Sequence, residues 1–140
     1  MLPSASFGPS STPCRWDEED VKKPQILLED VFGDSHPGSA HLLELVELAR
    51  RGADEAGAKA ARYFVTDICD GQAQGHDGIN YSLASRDMIA GMVELHNNAT
   101  PFDAGVFIAS CDKGMPGLLM GIGRCNIPSV MATGGVMEAG

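Results

Sequence analysis

The stretch that most constrains this chain is Gly105-Val106-Phe107-Ile108-Ala109, followed at once by Ser110-Cys111-Asp112-Lys113-Gly114-Met115-Pro116. The first five residues form an uninterrupted apolar run, which reads as a strand buried on both faces. Pro116-Gly117-Leu118-Leu119-Met120 then reads as a helix, with proline tolerated in its first turn. A thiol, a carboxylate and an amine therefore sit where a strand turns into a helix. In open parallel sheets, ligands bind at that rim. Asp67-Ile68-Cys69-Asp70-Gly71 repeats the theme upstream, again just after a strand-like run, Tyr63-Phe64-Val65-Thr66.

The remaining elements fall around these two turns. Gln25 to Asp30 reads as a short first strand, running into the turn-forming loop Gly33-Asp34-Ser35-His36-Pro37-Gly38. A helix follows, with Ser39 as its expected cap, Leu42, Leu45, Val46 and Ala49 as its apolar stripe, and Gly57 as its stop. Cys69 to Tyr81 reads as loop, and Ser85 as the cap of a second helix carrying Met88, Ile89, Met92 and Val93. Ile127 to Ala132 is the expected fourth strand. The order β-α-β-α-β-α-β, with crossovers this long, predicts an α/β layered domain with a mostly parallel sheet flanked by helices. The active edge would then lie at the C-terminal ends of the strands. Residues 1–24, Pro/Ser-rich and then charged, read as a flexible N-terminal arm on which Trp16 alone can pack down. Residues 25–140 form the domain. Because the last residues read as a loop leading onward, the chain is expected to be the front of something longer.

Composition excludes some functions. Ten Lys and Arg stand against nineteen Asp and Glu, a net charge of −9, which argues against a nucleic-acid surface. No apolar run approaches the roughly 20 residues needed to span a bilayer, so no membrane partner is expected. The N-terminus lacks a basic region ahead of an apolar one, which points to a cytoplasmic protein. The four cysteines (Cys14, Cys69, Cys111 and Cys125) lack the spacing of a small secreted domain, and read as metal ligands or core thiols rather than disulfides.

Each candidate carries two readings. Cys69 and Cys111 suit an iron–sulfur cluster, whose irons take thiolates, or are simply small core residues. Asp70 and Asp112 suit Mg²⁺ or Mn²⁺, or cap their own turns. Lys113 is a base, or a charge partner for the two aspartates. His76 binds substrate or metal, or bonds to its own loop. Ser85 and Arg86 follow closely; Arg86 can fork onto a carboxylate or phosphate, or lie exposed in a helix's first turn. Met115 and Met120 read as core, and Cys125 as a surface turn thiol. Gly71, Gly75 and Gly78 do not make a dinucleotide fingerprint, so a nucleotide-binding domain is a weak reading.

Four motifs together carry a resemblance. Cys69-Asp70-Gly71-Gln72-Ala73-Gln74-Gly75-His76, Tyr81-Ser82-Leu83-Ala84-Ser85-Arg86, Ser110-Cys111-Asp112-Lys113 and Gly134-Gly135-Val136-Met137-Glu138-Ala139-Gly140 resemble the N-terminal domain of the dihydroxy-acid / 6-phosphogluconate dehydratase family, from about Pro24 onward. The resemblance implies a hydro-lyase that dehydrates a 2,3-dihydroxy acid or sugar acid to a 2-keto acid. It implies an iron–sulfur cluster and Mg²⁺ or Mn²⁺. Cys69 and Cys111 would be cluster ligands, and Asp70, Asp112 and Lys113 metal ligands, with Lys113 also catalytic; beside these, His76, Ser85 and Arg86 are the candidate substrate contacts from the residues themselves.

One departure matters. The dihydroxy-acid branch usually has a cysteine after the proline of the first loop, where this chain reads Pro37-Gly38-Ser39. The resemblance therefore implies an aldonate substrate over a branched-chain one, and a four-iron cluster, with a two-iron cluster as the alternative. The third cluster ligand, a further metal-binding glutamate and the serine base would lie beyond residue 140. The full-length form would be a homodimer, and this chain alone inactive. A noncatalytic remnant that only binds metal or a partner is the competing reading.

Overall fold

The computed structural model describes residues 16–135. Four strands, β1 (Gln25–Val31), β2 (Lys59–Val65), β3 (Ala104–Ala109) and β4 (Ser129–Thr133), form one all-parallel sheet in the order β2-β1-β3-β4. Helices α1 (Leu42–Glu55), α3 (Ser82–Ala99) and α4 (Gly114–Cys125) make the crossovers, and a single turn, α2 (Asp70–Ala73), follows β2. The α/β layered architecture is as the sequence predicts.

β1 is the hub, hydrogen-bonded on both sides, and six of its seven residues are buried. Its side chains alternate between two covered faces, which is why the strand shows no polar alternation. Glu29 reaches His96 on α3, whereas Asp30 on the opposite face takes a two-pronged Arg62 fork at 2.8 and 2.9 Å. Leu27, Val31, Phe107, Ile108 and Leu118 complete the core at 0–1% exposure. Burying each contributes roughly 1.5–3 kcal/mol. Gly117 and Gly121 let α4 lie against α3. A Cβ at either position would come within 2.8 Å of Ile89 or 2.6 Å of Val93.

Local signals decide the helix ends, and not always as expected. Gly57 stops α1 at φ +79°: Gly57 N–H donates to Asp54 O, and Ala58 N–H to Ala53 O. Those two bonds are the left-handed glycine stop. Ser39 does not cap α1. The chain makes an extra turn over residues 37–41, His41 holds the cap position, and the Ser39 hydroxyl meets Ser110 Oγ instead. Nor does Ser85 cap α3. The 3-10 turn Asp77–Tyr81 runs straight into the helix at Ser82, and Ser85 Oγ donates back to Ser82 O. The stretch read as loop from Cys69 to Tyr81 thus holds two short helical turns. Cys125 is a buried thiol rather than a surface one, with Sγ 3.8 Å from Val93 O. Asn126, in the left-handed region at φ 52°, ends α4.

Residues 16–24 are tied to the body. Asp20 pairs with Lys23 at 2.7 Å and Lys59 at 2.8 Å, and Lys59 Nζ lies 6.0 Å from the Trp16 ring. Cys14 and residues 136–140 of the last motif lie outside the described residues. Among the described residues, no helix is long and apolar enough to cross a membrane.

Candidate functional site

The strand order reverses between β1 and β3, and the loops leaving the C-terminal ends of all four strands touch there. The β1 loop reaches the β3 turn at Gly38, where a Cβ would lie 2.3 Å from Cys111 Sγ and 3.3 Å from Ser110 Oγ. Gln72 Nε2 of α2 donates to Ser35 O at 2.6 Å, joining the β2 and β1 loops. Gly134 O lies 3.0 Å from His41 Nε2, bringing in the β4 loop.

Cys111 has φ +59°, a left-handed conformation that costs a non-glycine residue about 1–2 kcal/mol. The turn accepts that strain and so aims the thiol across the rim. Burial pushes the Cys111 thiol up from its usual range; the Ser110 hydroxyl opposes this, and Asp67, Cys69 and Asp112 add to it. Cys69 is therefore close enough for a charge on it to be felt at Cys111. Both thiols are half-buried and free. Replacing Cys111 with glycine should stabilise the metal-free chain by about 1 kcal/mol relative to Cys111→Ala, since only glycine adopts this φ freely. Equal denaturation midpoints for the two variants would show that the turn relaxes instead.

Beside the thiols, Lys113 bridges two carboxylates from different turns. Its Nζ lies 3.1 Å from Asp70 Oδ2 and 2.5 Å from Asp112 Oδ2. Asp70 also accepts from Ser82 Oγ at 2.6 Å. That hydroxyl first, and then Lys113, hold Asp70 below the usual carboxylate range. The two carboxylates in turn raise Lys113, Asp112 more than Asp70. The ammonium stands where a cation between two oxygen donors would stand.

The donors suit the groups that the resemblance implies, but only in part. Two hard carboxylates are what Mg²⁺ commonly takes from a protein, keeping waters elsewhere. Two thiols are fewer than the three or four that hold a cluster. Among the described residues, no three His, Cys, Asp or Glu side chains converge to enclose a metal.

The tentative substrate contacts are placed less suggestively. His76 is exposed and held by its own loop: Nδ1 accepts from Gly78 N–H at 3.0 Å, and Nε2 faces Gln72 O at 3.1 Å. Arg86 pairs with its neighbour Asp87 at 3.0 Å. Ser85 is spent inside its helix.

Two residues given no role from the sequence lie at the base of this rim. His36 and Asp67 are buried, with His36 Nε2 3.2 Å from Asp67 Oδ1. They are 31 positions apart, so no local pattern joins them; an acid two residues before Cys69 was the available signal.

The rim of this parallel α/β domain thus carries two thiols and a carboxylate–lysine–carboxylate bridge. The Dihydroxy-acid/6-phosphogluconate dehydratase N-terminal family matches residues 23–140, and the chain belongs to it. It is 42% identical over 123 residues to a dihydroxy-acid dehydratase of Moorella thermoacetica, covering 88% of this chain and 22% of that protein. It is 44% identical over 124 residues to one of Methanospirillum hungatei, covering 89% and 23%. A third, of Methanococcus aeolicus, is 42% identical over 127 residues, covering 91% and 23%. The chain thus spans under a quarter of the length of the curated relatives that it matches.

Proposed function

We propose that this chain supplies part of the site of a hydro-lyase that removes water from a 2,3-dihydroxy acid to give a 2-keto acid. The observation that carries this is the Asp70–Lys113–Asp112 bridge set beside Cys69 and Cys111, on a domain of this family. Cys69 and Cys111 would hold two corners of an iron–sulfur cluster, and Asp70, Asp112 and Lys113 the Mg²⁺ or Mn²⁺. Those groups, when bound, polarise the leaving hydroxyl and the carboxylate side of the acid. The chain's own part is to bring soft and hard donors to one rim and to fix Asp70 through Ser82 and Lys113. Lys113, now an ammonium, must give up its charge to become a ligand itself.

The finer substrate choice rests on less. The relatives are named for dihydroxy acids, which does not favour an aldonate. What favours one is Pro37-Gly38-Ser39 in the first loop, and the cleft beside Cys69, whose walls include Ser35, Thr66, Gln72 and His76. Hydroxyl and amide groups suit a polyol tail better than a branched aliphatic one. Free Cys69, Cys111 and Cys125 fit a reducing cytoplasm. A homodimer is our expectation for the longer form.

The test is to express the chain anaerobically, alone and joined to the remaining length of one of its dihydroxy-acid dehydratase relatives. Iron, sulfide and 2-keto acid are then measured with gluconate and with 2,3-dihydroxyisovalerate. We expect iron and turnover in the joined protein, and no turnover in the chain alone. A joined protein that binds no iron and dehydrates neither acid would leave only a binding remnant.

A further inference from the structure

We propose that His36 and Asp67 form a positioning pair that sets the distance between the Cys69 and Cys111 thiols, and so the affinity of the rim for a thiophilic metal. The inference rests on the reading of those thiols as ligands.

The geometry is a three-way tie. His36 is the node of the β1 loop: its N–H donates to Gly33 O, and its O accepts from Ser39 and Ala40 N–H. Its Nδ1 accepts from Gly38 N–H at 3.2 Å, so in the neutral ring the proton sits on Nε2, facing Asp67. Asp67 leaves β2 two residues before Cys69. Its Oδ2 lies against the start of α4, where a Cβ on Gly114 would meet it at 2.8 Å. Gly114 is three residues after Cys111. One carboxylate therefore touches the β1 loop and the β3 turn from the β2 loop.

The arrangement is costly. His36 Nε2 and both Asp67 oxygens are fully enclosed and make no well-aligned hydrogen bond, although the ion-pair distance is short. A buried polar pair of this kind is weak evidence for stability, because apolar replacements often do as well. What it fixes is register, between the two turns that carry the thiols. Groups that orient ligands from behind typically account for 10–100-fold in metal affinity.

Cd²⁺ binding by the chain, read from its thiolate charge-transfer absorption, tests this with Cys14 replaced by serine. Cys69→Ser and Cys111→Ser should each remove the signal. Asp67→Ala should weaken Cd²⁺ binding about 10–100-fold, while Asp67→Asn, which keeps an acceptor for Nε2–H, should restore most of it. The double variant His36→Met/Asp67→Leu fills the space without the polar tie; it should still unfold cooperatively, although Gly38 N–H loses its Nδ1 acceptor, and bind weakly. If that folded double variant binds Cd²⁺ as tightly as the parent, the positioning role is wrong although the thiol assignment stands. If the serine variants keep the signal, the thiol assignment itself has failed, and the proposal with it.

Discussion

Under the function proposed above, serine at position 69 or 111, in this chain joined to the remaining length of one of its relatives, should lower iron to near that of the unloaded protein and the dehydratase rate by about 100-fold or more, close to 2.7 kcal/mol of barrier. A serine hydroxyl matches a thiol in size but not in softness, and iron–sulfur sites select thiolate. Either change alone should suffice, because each thiol sits on a different turn and neither can cover for the other. Cys125→Ser provides the contrast. That thiol is buried under α3 against Val93 O, away from the rim, and its replacement should leave iron unchanged. Iron retained by both rim variants would remove the assignment of Cys69 and Cys111.

Glu29→Gln should remove most of a fall in stability above pH 6.5 that the parent chain carries. Glu29 has no exposure, and burial first, then the neighbouring Asp30, push its carboxyl from 4.5 up to about 8. Its facing group is His96 Nδ1 at 3.0 Å, with the Tyr63 ring centred 4.8 Å from that imidazole and tilted by 35°. Asp30 itself is paired with Arg62. Between pH 4.5 and 8 the folded chain holds a proton that the unfolded chain has released. Stability therefore falls as pH rises through that window. His96, lowered by burial, acts in the opposite sense, losing stability as pH falls below its usual 6.5. Above pH 6.5 the His96 contribution is spent, and Glu29 contributes a falling slope near 1.4 kcal/mol per pH unit, in the same sense as Asp67, whose carboxyl burial also raises. From pH 6.5 to 8 the parent should lose about 2 kcal/mol by denaturant titration, and the glutamine variant far less. A parent as flat as the variant would mean that Glu29 is ionised inside the fold.

The fold was legible because the strongest signals were apolar runs. Phe107 to Ala109 and Leu27 to Leu28 are buried on both sides, with Val106 and Ile26 half-buried beside them, and admit little besides central parallel strands. The ends of the helices were less legible. Ser39 and Ser85 are good caps in isolation, yet the 3-10 turn before Ser82 and the extra turn before Leu42 had already started the chain winding. Of the site, the bridge between Asp70 and Asp112 through Lys113 was foreseeable from the neighbouring residue types, since a lysine beside one acid and across from another finds both. The His36–Asp67 contact was not, because it exists only when two loops meet. The positive φ of Cys111 was equally hidden, cysteine giving no hint of a left-handed turn.

Because Gly38 backs directly onto Cys111 Sγ, the two loops are neighbours even where only one of them contributes sulfur. A side chain at position 38 would have to displace that thiol, so this part of the rim seats one donor at a time, from whichever loop carries the side chain. The rim would act as a switchboard whose socket is fixed by the strands and whose plug comes from either loop.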